Sequence, residues 1–74
     1  MTTTKSRRWP IYQNGAEVRS RRLSKGLGQE QLAVKAGITH GHVSRIERDV
    51  ASAGADVLKR LAEALECEVK DLLA

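Results

Sequence analysis

Seventy-four residues suffice for one domain with one small core and exclude a second, catalytic domain, because surface falls too slowly with chain size to allow more. Apolar residues make up 41% of the chain and charged residues 30%, and with only Trp9 and Tyr12 aromatic the core has to be aliphatic. The net charge of +4 is unevenly placed: residues 1–48 hold ten Lys/Arg against three Glu, leaving +7, and residues 49–74 hold three bases against six acids, leaving −3, which predicts a basic face for a polyanion such as nucleic acid or an anionic membrane surface.

In chain order, residues 1–13 read as a basic N-terminal arm. It carries three threonines with Lys5, Arg7 and Arg8, and Pro10 blocks helix propagation. Trp9, Ile11 and Tyr12 are too apolar for a freely solvated tail, so the end of the arm is expected to lie against the domain that fills residues 14–74. Asn14 followed by Glu17 resembles a capping box and starts a helix running from about residue 15 to 25, with Gly26 as the left-handed residue that ends it. Residues 29–36 form the next helical run, with Leu32, Ala33 and Ala36 on one face and Gly37 as terminator. Thr39 is a good N-cap for a third helix reaching Arg48, whose apolar positions Val43 and Ile46 lie three apart. A loop of small residues follows over 49–54. Val57, Leu58, Leu61, Ala62 and Leu65 make the broad apolar stripe of a fourth helix, and a short last helix carries Val69, Leu72 and Leu73. No segment alternates apolar and polar residues for long, so the expected class is all-α, with five short helices.

The stretch GQEQLAVKAGITHGHVSRIERD, residues 28–49, places two short helices either side of a three-residue turn that opens on glycine. This is the pattern of a helix-turn-helix, in which the first turn residue wants positive φ and Ala33 is small where the helices cross. At 100° per residue, Gly41, Ser44, Arg45 and Arg48 share one face of the second helix while Val43, Ile46 and Glu47 point the other way. The chain resembles the lambda-repressor-like (Cro/cI, or XRE) DNA-binding domains over roughly residues 14–73. Gln29, Leu32, Ala33, Gly37, Ile38, Val43, Ile46 and Glu47 match the motif, with Arg22, Gly26 and Leu27 before it and Leu58, Leu61 and Leu65 after it.

The resemblance implies a compact five-helix domain whose third helix enters the major groove, as a homodimer on a two-fold operator. The base-contacting positions carried over are His40, Gly41, Ser44 and Arg45. Arg45 leads for direct readout, since a guanidinium pairs bidentately with guanine, whereas Gly41 departs from the larger polar residue usual there. Gln29 matches the glutamine that opens the family's second helix and bonds a phosphate. Gly28, just before it, departs from the usual Ser, Thr or Asn cap. Thr39, His42 and Arg48 are further phosphate candidates. The loop after the third helix lacks the family's usual basic residues, and Lys5, Arg7 and Arg8 of the arm are the candidates to replace them. Arg22 and Glu47 occupy positions that resemble a partly buried ion pair. Apolar Val50, Val69, Leu72 and Leu73 supply the candidate dimer surface, although part of that set has to close the core.

These readings give a sequence-specific double-stranded DNA-binding transcriptional regulator, a repressor of phage, plasmid or controller type. The alternative is an antitoxin, or another module that uses the same fold to bind a protein partner. Other classes find little support. An enzyme needs convergent titratable groups in a pocket, and no catalytic constellation or cofactor motif is present. His40 and His42 are two apart, about 200° around a helix, and cannot chelate one metal ion. Cys67, the only cysteine, can form no internal disulfide and reads as a small buried hydrophobe. No run approaches the ~18 apolar residues of a spanning helix, and the basic start lacks the apolar stretch of a signal peptide. A cytoplasmic protein without a membrane role is expected.

Overall fold

The structure is a computed structural model that describes residues 11–74, so Lys5, Arg7, Arg8 and Trp9 lie outside the described residues. Four α-helices follow one another, α1 (Gly15–Ser24), α2 (Gln29–Ala36), α3 (His40–Glu47) and α4 (Ala55–Leu65), and the chain finishes in a single 3-10 turn at Val69–Leu72. The class is all-α. The expected fifth helix is therefore only this turn, too short for an α-helical ladder and held by its packing: Leu72 is fully buried while Leu73 is 43% exposed. Among the described residues the one β-type contact is an antiparallel bridge between Gln13 and Leu73, which joins the two ends of the domain.

One aliphatic core fills the space between the helices. Val18 of α1, Leu32, Ala33 and Ala36 of α2, Val43 and Ile46 of α3, and Leu58, Leu61, Ala62 and Leu65 of α4 converge there with Ala53 and Leu72. Each fully buried Leu or Ile contributes about 1.5–3 kcal/mol relative to exposure. Cys67 packs half-buried against this core, and burial pushes its thiol pKa up, which disfavours the thiolate.

All four helices close in the same way. The amides of Leu27, Ile38, Val50 and Cys67 return to the carbonyls of Arg22, Ala33, Arg45 and Ala62, at 2.9–3.1 Å. Such a closure requires a left-handed residue just before the returning amide. Gly26 and Gly37 supply it for α1 and α2, but Asp49 and Glu66, both at φ 59°, supply it for α3 and α4. Asp49 has a compensating role, since its Oδ1 accepts from the Gly15 amide at 3.1 Å.

The start of α1 differs in one detail from the sequence reading. Asn14 caps it, accepting from the Glu17 amide at 3.1 Å, yet Glu17 does not reach back. The Asn14 amide already donates to the Leu72 carbonyl at 2.7 Å, so Glu17 turns outward and pairs with Arg21 at 2.8 Å. At α2 the missing side-chain cap is replaced from the other direction, by Gln31 Oε1 accepting from the Gly28 amide at 2.7 Å.

The segment before α1 is fastened to the end of α3. Gln13 is 1% exposed, and its Nε2 donates to the carbonyls of Ile46 (3.0 Å) and Ala51 (2.9 Å), while its Oε1 accepts from the Ala53 amide (2.9 Å). Gly15 lies so close to the last turn of α3 that a methyl group there would sit 2.5 Å from the Glu47 carbonyl oxygen and 2.6 Å from that of Ile46. Glycine at the head of a helix normally costs stability, but here Gly15→Ala should destabilise by about 1–3 kcal/mol because backbone has to move. Urea denaturation would read this as a lower midpoint at unchanged slope, and a raised midpoint would show that the contact is not tight.

Candidate nucleic-acid interface

The helix-turn-helix is formed by α2, the turn Gly37–Thr39 and α3. Gly37 adopts φ 70°, Ile38 packs on the core, and Thr39 caps α3 by accepting from the His42 amide at 3.0 Å. That bond uses a lone pair of the Thr39 hydroxyl and leaves its hydrogen free to donate. Arg60 of α4 braces the turn, donating from Nη1 to the Gly37 carbonyl at 3.3 Å.

The faces of α3 divide cleanly. Val43 and Ile46 are fully buried and Glu47 is buried beside them, whereas His40, Gly41, Arg45 and Arg48 are exposed and Ser44 and His42 are half-buried. The outward edge thus carries two cations, an imidazole and a hydroxyl, with no protein element covering it among the described residues. Arg48 folds back along the helix, donating from Nε to the Ser44 carbonyl at 3.3 Å. Arg45 reaches the other way: a methyl group at Gly41 would come within 3.3 Å of its Nη1. Gly41 therefore leaves room for the Arg45 guanidinium beside the first turn.

Behind this edge lies a connected polar group that the sequence reading held only in part. Arg22 of α1 meets Glu47 at two points, Nε to Oε2 at 2.6 Å and Nη2 to Oε1 at 3.1 Å, and both side chains are almost fully buried, at 8% and 2% exposure. Its Nη1 also donates to the Leu27 carbonyl in the α1–α2 turn at 2.8 Å. Gln29, at the head of α2, donates from Nε2 to Glu47 Oε1 at 3.0 Å, and its Oε1 lies 3.0 Å from His40 Nε2. Among the described residues no buried side-chain nitrogen or oxygen lacks a partner. The structure thus brings Arg22, Glu47, Gln29 and His40 into one chain of contacts from the core to the exposed edge.

Of the four apolar residues named as a candidate dimer surface, Leu72 and Val69 belong to the core or pack on it, while Val50 (59%) and Leu73 (43%) are exposed, with Tyr12 (53%). The exposure of Tyr12 follows from the burial of its neighbour Gln13 on the same extended segment. Among the described residues there is no helix long and apolar enough to cross a membrane and no group of three side chains able to hold a metal ion.

An all-helical domain with this turn and a polar, uncovered third helix defines the helix-turn-helix class of the lambda-repressor-like type. Residues 18–72 match the model of the helix-turn-helix family, and the chain belongs to that family. It is 33% identical over 58 residues to an HTH-type transcriptional regulator of Mycobacterium tuberculosis, an alignment covering 78% of this chain and 41% of the relative. A second HTH-type regulator, from Sinorhizobium fredii, is 32% identical over 53 residues, 72% of this chain and 27% of its own. The chain thus spans 41% and 27% of the length of these two curated relatives. Among solved structures it is similar to the restriction-modification controller protein C.AhdI from Aeromonas hydrophila, with TM-score 0.75, 33% identity, and 77% and 86% of the two chains covered. It is also similar to the P22 c2 repressor in complex with a synthetic operator, with TM-score 0.73, 27% identity, and 76% and 85% covered.

Two outcomes follow from this geometry. Glu47→Ala strands the Arg22 guanidinium and should cost about 3–5 kcal/mol, whereas replacing both partners with Leu and Met should recover most of that loss; thermal unfolding of the three proteins checks the order. Gly41→Ala should leave the melting temperature unchanged or slightly raised yet displace Arg45, visible as a chemical-shift change at its Nε–H.

Proposed function

We propose that this domain binds double-stranded DNA sequence-specifically and regulates transcription, as a repressor of phage, plasmid or controller type that occupies a two-fold operator as a dimer. The observation that carries this reading is the orientation of α3, whose aliphatic edge is clamped in the core while Arg45, Arg48, His40 and Ser44 line an uncovered edge. An α-helix presented in this way fits the major groove. The relatives support it, being transcription regulators, a controller protein and an operator-bound repressor.

In this reading Arg45 pairs with a guanine edge, and His40 and Ser44 meet neighbouring bases, with Gly41 allowing close approach. Thr39, through its free hydroxyl hydrogen, and Arg48 and His42 bond phosphates. Gln29 retains one Nε2 hydrogen beyond its bond to Glu47 and reaches a phosphate beside the head of α2, where free amides and the helix dipole favour an anion. Lys5, Arg7 and Arg8, which lie outside the described residues, are the candidates to supply the cations that the loop after α3 lacks. For the dimer, Tyr12, Val50 and Leu73 form the contact surface. Leu73 is one partner of the bridge that joins the two ends of the domain and Tyr12 precedes the other, Gln13, while the Tyr12 amide donates to Ser52 Oγ, two residues beyond Val50, at 3.3 Å. A two-fold contact there would join half-sites about 34 Å apart.

Selection of bound duplexes from a random pool, with sizing of the complex, tests site, symmetry and stoichiometry together. A palindromic site bound two to one is the expected result, and capture of a protein partner with indifference to every duplex would favour the antitoxin class instead. Affinity should fall linearly in log salt with a slope of about −0.9 per phosphate neutralised. Arg45→Ala should relax preference at one position per half-site by about 1–3 kcal/mol, and Arg48→Ala should weaken all duplexes alike and lower the salt slope by about one.

A further inference from the structure

Glu47 fixes the orientation of Gln29. A carboxylate paired with a guanidinium is ionised and only accepts hydrogen bonds, so the end of the Gln29 amide that lies 3.0 Å from Glu47 Oε1 has to be the NH2 group. Rotating that amide by half a turn would set its carbonyl oxygen against the carboxylate. The Gln29 oxygen is thereby turned toward His40, whose Nε2 stands 3.0 Å away. A carbonyl oxygen accepts only, so His40 Nε2 has to carry the hydrogen, and in the neutral ring the lone pair is left on Nδ1. Among the described residues Nδ1 has no hydrogen-bond partner, and His40 is exposed as the first residue of α3.

We infer that Gln29 is a positioning residue that holds His40 in its Nε2–H tautomer, so that His40 reads an amino-bearing base, adenine or cytosine, in the major groove. This rests on the DNA-binding reading above and adds to it the class of base recognised. The donor and acceptor pattern of the groove supplies the discrimination. Guanine N7 and O6, thymine O4 and phosphate oxygens are all acceptors, and none can bond to a bare Nδ1. The adenine N6 and cytosine N4 amino groups are the donors that can. Because the constraint begins at the buried Arg22–Glu47 pair and passes through Gln29, it is set before DNA arrives.

Two readouts test this. In the free protein at about pH 8, chosen to favour the neutral ring, long-range proton–nitrogen spectra should show His40 protonated at Nε2 alone. In Gln29→Ala the ring should average between tautomers. A His40 protonated mainly at Nδ1 in the unaltered protein overturns the inference without reference to DNA. In pool selection at the same pH, adenine or cytosine should be enriched at one position of each half-site. His40→Ala should abolish that preference, and Gln29→Ala, which keeps the imidazole, should reduce discrimination against guanine and thymine there by on the order of tenfold, beyond any uniform loss from its phosphate contact. A specific pool left unchanged by His40→Ala, or one enriched in guanine or thymine at the position His40 controls, overturns this inference and leaves the DNA reading intact. Indifference of the unaltered protein to every duplex overturns that reading and the base assignment with it. Circular dichroism would check that both variants are folded, and His40→Ala, at an exposed position, is the variant least able to disturb the core.

Discussion

The two-point contact between Arg22 and Glu47 sets the geometry on which the recognition edge depends. It joins α1 to α3, and through the third guanidinium nitrogen and Gln29 it also fixes the α1–α2 turn and the head of α2. Removing two charges from water costs nearly what their attraction returns, so an aliphatic pair of similar volume would hold the fold nearly as well. What an aliphatic pair would not supply is direction. A planar fork and a carboxylate meet in few relative orientations, and this contact fixes both the rotation of α3 about its axis and its tilt against α1.

A second constraint acts at the other end of α3. Gln13, Gly15 and Asp49 bind the segment before α1 to the last turn of α3 and the loop after it, through bonds of 2.9–3.3 Å to Ile46, Ala51 and Ala53 and within the trio. The carbonyls at a helix C-terminus need partners when buried, and Gln13 supplies one where water cannot reach. With its head tied through Gln29 and His40 and its tail through Gln13, α3 has little freedom to roll. The exposed apolar residues Tyr12, Val50 and Leu73 sit on the same tail assembly, so a contact made there would bear directly on the helix that carries Arg45.

The sequence made the four α-helices, their order and nearly all of the core legible, because apolar spacing and glycine terminators are local signals. Gly26 and Gly37 announced the ends of α1 and α2. Asp49 and Glu66 perform the same backbone task without announcing it, since left-handed φ at a non-glycine residue is decided by the bonds that neighbouring chain makes with it, as the Gly15 amide does with Asp49, and these appear only in the folded chain. Glu17 failed to complete its capping box for a similar reason: the Leu72 carbonyl, far away in sequence, had already taken the Asn14 amide. Gln13 was hidden in the same way, since a glutamine beside a basic arm looks solvated until its partners 33 to 40 positions later are known. Within the candidate site, the split of α3 into two faces was legible from its periodicity and the Arg22–Glu47 pairing from resemblance, but the bond from Gln29 to His40 joins two helices and has no sequence signal.

Charge pairing sharpens the contrast between the two halves of the chain. Among the described residues Arg21, Arg22, Lys25, Arg60 and Lys70 each lie in an ion pair with Glu17, Glu47, Glu66, Asp56 and Glu68. A cation already matched by a carboxylate gains less from a phosphate, because the existing partner has to be released first. Arg45 and Arg48 are in no such pair, and both lie on the uncovered edge of α3, one reaching toward its first turn and the other along its last. Of the six acids of the second half, Asp56, Glu66 and Glu68 lie in pairs on or just after α4. Net charge by itself would attract any polyanion; in the proposed function, leaving these two guanidiniums unmatched on a helix whose rotation is fixed from within is what would convert a general attraction into a geometry able to distinguish one duplex from another.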